Sequence, residues 1–399
     1  MSAQVTLPAP YGRGLGRGLA IDRGLLFAVI ALVILGLVMV TSASLSPAER
    51  DFGSAGFYLR RQAAFLLIGL LAGGVAVCFP LKVWEQLSGW FLLGVVFLLL
   101  LLLIPGVGRE VNGSVRWLPL PGFNLQPSEL LKLAMIVYLA AYMTRRAEAL
   151  ARTWKGFLWP LLVLVACGML LLRQPDFGAL VLIMAIGLTL LFVGGAPLSR
   201  LLLIGLCAVA AGWLLIIESP YRLDRLVMFR DPWLDPFDRG FQLTQSLIAI
   251  GRGEWIGVGL GSSVQKLFYL PEAHTDFLFA VLAEELGLVG VVGVIGLYSF
   301  ICFRIFLIGY RNLVQSRWFA GYLCLGVAIW LGLQSFINMG VNMGLLPTKG
   351  LTLPLLSYGG SSMVVTLVAL ALVLRAEHER RAAMAESRPA QQRRRADGR

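Results

Sequence analysis

The sequence predicts an all-α, polytopic membrane protein with ten transmembrane helices and both termini cytoplasmic. Three observations lead there. The chain of 399 residues is 58% hydrophobic and only 14% charged, whereas ordinary soluble domains carry about a quarter charged residues. Continuous apolar runs of about 20 residues, each long enough to cross a bilayer, recur along nearly the whole length. Basic residues are divided unequally between the two sets of connecting segments, and such a bias sets orientation in a membrane. A membrane barrel would show short alternating strands instead.

The first run, 24–44, has no small-residue cleavage pattern after it and is followed by many others. It therefore reads as a first helix and not as a removed signal peptide. Further spans are expected at 62–79, 86–104, 127–143, 157–172, 177–194, 198–217, 277–303, 318–340 and 352–375. Pro127 and Ser128 mark a helix start for the fourth, and Glu129 suits its first turn. Only "RQPDFG" divides the fifth from the sixth, and Pro175 with Gly178 fits a tight turn there.

An even number of spans puts both termini on one side. The segments on that side hold 20 Lys and Arg against 7 acids, and the opposite side holds 14 against 15. The basic side is cytoplasmic. Fusing the fifth and sixth spans would scramble this asymmetry. Residues 1–20 and 376–399 are expected to be disordered cytoplasmic tails around one membrane domain, 21–375. The basic run "RPAQQRRRADGR" fits a tail near anionic membrane lipid, with no nucleic acid as partner. Residues 218–276 form a large periplasmic loop, and a loop of that length is usually functional. It contains "FQLTQSLIAIG", expected as a short amphipathic helix at the interface.

The five cysteines lie singly inside apolar runs, so no disulfide framework or zinc spacing follows. Two histidines, His274 and His378, nearly exclude a histidine-built metal site. The absence of an internal repeat weighs against transporter folds made of paired halves.

Ionisable and polar groups at membrane depth are the candidate functional residues. Asp276 stands at the outer start of the eighth span, where both a capping role and a general-base role fit. Glu129 and Lys132 are three apart and share a helix face, as a structural ion pair or as a phosphate-binding pair. Gln334, Asn338 and Asn342 recur every four residues as one polar stripe, which suits helix–helix contact or a wet cavity. Lys349 lies outside, against the positive-inside tendency. In "LTLPLLSYGGSS" the Pro and Gly residues describe a backbone bent at membrane depth. Its serines, Ser357 among them, with Gly359 and Gly360 offer donors to an anion. Arg60, Arg61, Arg109, Arg116 and Arg173 sit near outer helix ends, as snorkelling residues or as a cationic surround for a headgroup.

Four segments, "YLPEAHTDFLFAVLAEELGLVG", "LLPTKGLTLPLLSYGGSS", "NGSVRWLPLPGFNLQPSELLKL" and "RQPDFGAL", resemble the SEDS family of bacterial cell-wall polymerases, and its division branch more than its elongation branch. The match runs in order from the first span to the tenth. The resemblance implies the SEDS fold and a peptidoglycan glycosyltransferase that polymerises lipid II in the inner membrane at the division septum. It places the family's essential aspartate at Asp276, its fourth-helix pair at Glu129 and Lys132, its exterior lysine at Lys349 and an arginine at Arg61. His274, Glu272 and Ser357 are expected beside the substrate. Implied partners are lipid II, a cognate class B penicillin-binding protein (FtsI), and the division proteins FtsQ, FtsL, FtsB and FtsN. Gly69 and Gly73 of "GLLAGG" offer small-residue spacing for a partner helix. No cofactor is certain; a divalent cation, Mg or Mn, is compatible with a pyrophosphate leaving group. A lipid II flippase and a scaffold that only recruits partners are the rival classes.

Overall fold

The computed structural model describes residues 21–111, 114–120, 123–217, 229–238, 240–267, 269–347 and 350–397. A helix lies on each of the ten expected apolar segments. They are α1 (Arg23–Phe52), α2 (Phe57–Cys78), α3 (Leu81–Leu101), α4 (Pro127–Arg152), α5 (Trp154–Arg173), α6 (Phe177–Val193) and α7 (Leu198–Ile217), then α9 (Leu278–Val314), α10 (Trp318–Asn342) and α11 (Gly360–Asp397). Between α7 and α9, α8 (Phe241–Gly253) forms on "FQLTQSLIAIG". Among the described residues, seven helices (α1, α2, α3, α5, α9, α10 and α11) are long and apolar enough to cross a membrane, and two shorter apolar helices lie within α6 and α7. The chain is a multi-pass membrane protein.

α4 stands apart for a physical reason. Nearly every residue from Pro127 to Met143 is buried by neighbouring helices, so this helix meets protein and can carry Glu129 and Lys132. It packs on α3, α5, α6 and α10, while α2 lies along α11 and α9 along α10. The break between α5 and α6 is real. Pro175 has positive φ, and Asp176 caps α6 by accepting from the Ala179 amide at 3.2 Å.

Close packing, not exclusion of water, holds helices together in lipid. Gly69 and Gly73 show this, because they face α11. A Cβ on Gly69 would lie 2.6 Å from Leu367 Cδ1, and one on Gly73 would lie 3.2 Å from Ala371 Cβ. The small-residue spacing expected to receive a partner helix is therefore spent inside the fold.

Three features differ from or add to the sequence reading. The 105–126 connection carries a small antiparallel sheet in the order β1 (Arg109–Val111), β2 (Ser114–Leu120), β3 (Phe123–Leu125). It is too short to give a periodicity signal. α11 begins at Gly360, eight residues later than expected, because residues 350–359 run as non-helical chain past Pro354, buried from 353 to 357. Gly36 of α1 makes room for this segment: a Cβ there would stand 2.7 Å from the Leu355 carbonyl. At the other end, the expected disordered tail at 376–399 continues α11 as helix to Asp397. Charge pairing explains the first turns of that extension. Glu379 accepts from Arg317 at 2.7 Å, from Arg375 at 2.9 Å and from the Leu81 amide at 2.9 Å. Glu377 takes Arg380 at 2.8 Å and Arg381 at 2.5 Å.

Candidate active site

Asp276 sits one residue before Phe277, the N-cap of α9, which makes no side-chain cap bond. The capping work falls to α10. Asn342 Oδ1 accepts from the Ala280 amide at 3.2 Å. The Nδ2 groups of Asn338 and Asn342 both donate to the Asp276 carbonyl, at 2.9 and 3.0 Å. Asn338 also holds the Leu351 carbonyl at 2.5 Å. One turn deeper, Gln334 donates to the Thr352 carbonyl at 2.8 Å. The polar stripe is thus a clamp that ties the start of α9 and the 350–352 segment to one helix face. The Asp276 carboxylate lies against that segment, since a Cβ on Gly350 would stand 3.0 Å from Oδ2.

A protein–protein hydrogen bond contributes about 0.5–1.5 kcal/mol net. Asn342→Ala also strips the cap from Ala280, so it is expected to lower stability by about 1–3 kcal/mol. Turnover is expected to fall with little change in KM, because the backbone under the carboxylate loosens while substrate-facing groups stay. A thermal melt beside steady-state kinetics checks this.

An aromatic wall flanks Asp276. The half-buried His274 ring packs 4.5 Å from Tyr58 and 5.7 Å from Tyr358, and Tyr58 and Tyr358 meet edge to face at 5.1 Å. The Tyr358 amide donates to the His274 carbonyl at 2.9 Å. Burial holds the His274 imidazole below its ordinary value, against the opposing pull of Glu272. The ring is neutral at pH 7. The unfolded chain still binds a proton near pH ~6.5, so this group's contribution to stability is complete above that pH. It is lost as the pH falls from there toward the lower folded value. His274→Gln is expected to flatten the acid side of a stability–pH curve recorded in detergent.

The other expected site residues divide. Arg61, half-buried, has its guanidinium 5.5 Å from the Phe57 ring centroid beside Tyr58. Lys349 lies outside the described residues. Ser357 is buried, and its hydroxyl accepts from the Leu353 amide at 3.1 Å, so it shapes the 353–357 turn. Glu272 accepts from the Thr275 hydroxyl at 2.6 Å and stiffens the approach to Asp276. Lys132 is 1% exposed. Its ammonium pairs with Glu129 at 2.7 Å, donates to Gln334 at 2.8 Å and stands 5.1 Å from the Trp330 ring centroid. Its link to the clamp at Asp276 runs through Gln334, which also holds the Thr352 carbonyl. Arg116 is likewise engaged, donating to the Gln174 and Pro175 carbonyls and standing 3.9 Å from Asp176.

Glu284 and Glu285, both fully buried, anchor the large loop. Glu284 accepts from the Ser263 hydroxyl at 2.5 Å, the Val264 amide at 3.1 Å and Arg252 at 3.2 Å. Glu285 accepts from Ser42 at 2.7 Å and pairs with Lys266 at 2.8 Å. Neither role was legible, because the partners are distant in sequence. The same holds for the buried bridge from Ser361 through Gln126 and Ser128 to Asp176, whose bonds run from 2.9 to 3.1 Å.

Among the described residues, no three His, Cys, Asp or Glu side chains are grouped to hold a metal ion. A protein-only cage for a divalent cation does not fit this donor set.

The chain is similar to known proteins along most of its length. A family model described as a cell cycle protein, FtsW/RodA/SpoVE, matches residues 23–382. A probable peptidoglycan glycosyltransferase FtsW of Thioalkalivibrio sulfidiphilus is 56% identical over 90% of both chains. One of Legionella pneumophila with the same name is 51% identical over 90% of this chain and 91% of its own. Among solved structures, a chain from a peptidoglycan synthase complex, studied for the coordination of polymerization and crosslinking, has a TM-score of 0.76 at 34% identity, covering 91% of this chain and 99% of its own. The rod shape determining protein RodA of Thermus thermophilus has a TM-score of 0.68 at 34% identity, covering 91% and 98%. With an aspartate clamped at the start of α9, a buried Glu–Lys pair joined to the same clamp, and this likeness along nine-tenths of its length, the chain belongs to the FtsW/RodA/SpoVE (SEDS) family.

Proposed function

We propose that this protein is a peptidoglycan glycosyltransferase that polymerises lipid II into β-1,4 glycan strands during septal wall synthesis, with Asp276 as general base. The observation that carries the reading is the Asp276 carboxylate, held at a helix start by two donors to its own carbonyl. The FtsW names of relatives about half identical over nine-tenths of the chain support the reaction.

The chemistry needs one base. The donor sugar leaves from an α-linked pyrophosphate and the product is β-linked, so the anomeric carbon inverts once. The acceptor 4-hydroxyl gives its proton to the Asp276 carboxylate as its oxygen attacks the anomeric carbon. The bond from that carbon to the pyrophosphate oxygen breaks, and undecaprenyl pyrophosphate leaves with the electron pair. A pyrophosphate is a weak base, so no second carboxyl group is needed to protonate it, unlike the alkoxide of glycosidases. Arg61 and Lys349 are the cations we assign to its charge. A Mg or Mn ion would take most of its ligands from pyrophosphate oxygens and water and would help to neutralise the leaving group.

The chain works in the bacterial inner membrane at the septum, in ten crossings with both termini cytoplasmic. Its partners are the class B penicillin-binding protein FtsI, with FtsQ, FtsL, FtsB and FtsN. The similar chain in a peptidoglycan synthase complex supports a transpeptidase partner.

The test uses purified protein and lipid II in detergent, where no sides exist to flip between. Glycan strands that form with the wild type and not with Asp276→Ala support the proposal. Wild-type protein that forms none, alone or with its transpeptidase partner, returns the reading to a flippase.

A further inference from the structure

α9 is broken at Gly287, whose φ of 65° and ψ of −163° leave the helical region. A break at this place frees backbone groups on both sides of it, and residues 254–259 take them. The Val258 and Gly259 amides donate to the Glu284 and Glu285 carbonyls at 3.0 and 3.1 Å. The Leu288 and Val289 amides donate to the Glu254 and Trp255 carbonyls at 2.9 and 3.1 Å. Glycine makes the approach possible: a Cβ on Gly257 would lie 2.2 Å from the Glu285 carbonyl, and one on Gly287 would lie 2.3 Å from the Gly257 nitrogen. Irregular chain whose polar groups are satisfied in this way is the kind that membrane depth tolerates.

Arg252 before this turn and Lys266 after it pair with the Glu284 and Glu285 anchors, and Glu254 at its start is exposed. Outward stand Trp255, Ile256 and Leu260, at 70%, 81% and 58% exposure. They adjoin the exposed Leu288, Val289 and Val292 at the start of the continuous part of α9, and so extend its lipid-facing surface.

The depth of the turn follows from α1. Glu285 bonds to Ser42, and Asp22, before the first residue of α1, bonds to Arg304. The rise from Arg23 to Ser42 is about 28 Å at 1.5 Å per residue, close to the ~30 Å of a hydrocarbon core. With the Asp22–Arg304 pair at one boundary, the α9 break stands at the other, on the Asp276 face.

We propose that residues 255–260 are a lipid-inserting turn. Trp255, Ile256 and Leu260 enter the leaflet on the Asp276 face, and the zipper at Gly287 fixes the height of the helix start that carries Asp276. The partner is the lipid surface itself, and the inference rests on the multi-pass membrane reading, not on the reaction.

The test places a single nitrobenzoxadiazole label at Ile256→Cys in full-length protein whose exposed Cys78 and Cys207 are alanine. The protein is reconstituted into vesicles of phosphatidylcholine and phosphatidylglycerol. Expected are a blue-shifted emission, loss of most intensity to nitroxide lipids labelled near the headgroup, and no loss to aqueous iodide. A label at the exposed Glu110→Cys on β1 is expected to show the reverse. Leu260→Cys repeats the measurement on a second position of the turn, in case the first variant misfolds. Iodide quenching at both positions overturns the proposal, as does protection from both quenchers, which would mean that protein covers the turn.

Discussion

Asp276→Asn is expected to lower polymerisation turnover by about 10²–10⁴-fold, the usual contribution of a general base, while leaving the fold intact. The clamp explains why the fold survives. Asn338 and Asn342 hold the Asp276 carbonyl, which the substitution does not touch. Asparagine also keeps the shape beside Gly350, where the carboxylate already sits close. A melt matching the wild type, with lipid II bound and turnover lost, is the expected pair of results. Equal turnover in the variant removes Asp276 from the base role.

Lys132→Met is expected to cost about 3–5 kcal/mol, because it leaves the Glu129 carboxylate buried beside an apolar neighbour. The ammonium is nearly inaccessible and meets Glu129, Gln334 and Trp330, so its removal breaks α4 from α10 at the base of the clamp. Glu129→Leu combined with Lys132→Met removes both charges and is expected to recover most of the stability, since a buried ion pair is often no better than apolar packing. Activity is expected to follow stability, because both groups are buried where α4 meets α10. Thermal melts and turnover on the two single variants and the double variant check this. Stability that returns without activity would mean that Lys132 meets the substrate in another conformation.

Much of this was legible from the chain. Apolar runs mark the places of ten of the eleven α-helices among the described residues, seven of them long and apolar enough to cross a membrane, since lipid demands unbroken helix wherever it touches backbone. The Gln334–Asn338–Asn342 spacing showed a stripe that needed partners, but not that two of its members converge on one carbonyl. That convergence depends on how α9 starts against α10, a tertiary fact with no local signal. Glu284 and Glu285 are carboxylates in an apolar helix, where charge is costly, yet their partners lie at Ser42, Arg252 and 263–266, in other elements. The α9 break was hidden for the same reason. Gly287 is one of 45 glycines, and only the chain folded against it shows why it leaves the helix. The three-residue spacing of Glu129 and Lys132 left an ion pair and a phosphate-binding pair both open, and only the fold shows the two side chains buried against each other.

The central claim is that the Asp276 carboxylate takes the proton of the acceptor sugar. A structure of the Asp276→Asn protein with two lipid II molecules, trapped before reaction, measures this directly. The account predicts the side chain at position 276 within hydrogen-bond reach of the acceptor 4-hydroxyl, about 2.6–3.2 Å, with that oxygen aimed at the donor anomeric carbon. An acceptor hydroxyl held by any other group, with position 276 turned away from both sugars, contradicts it.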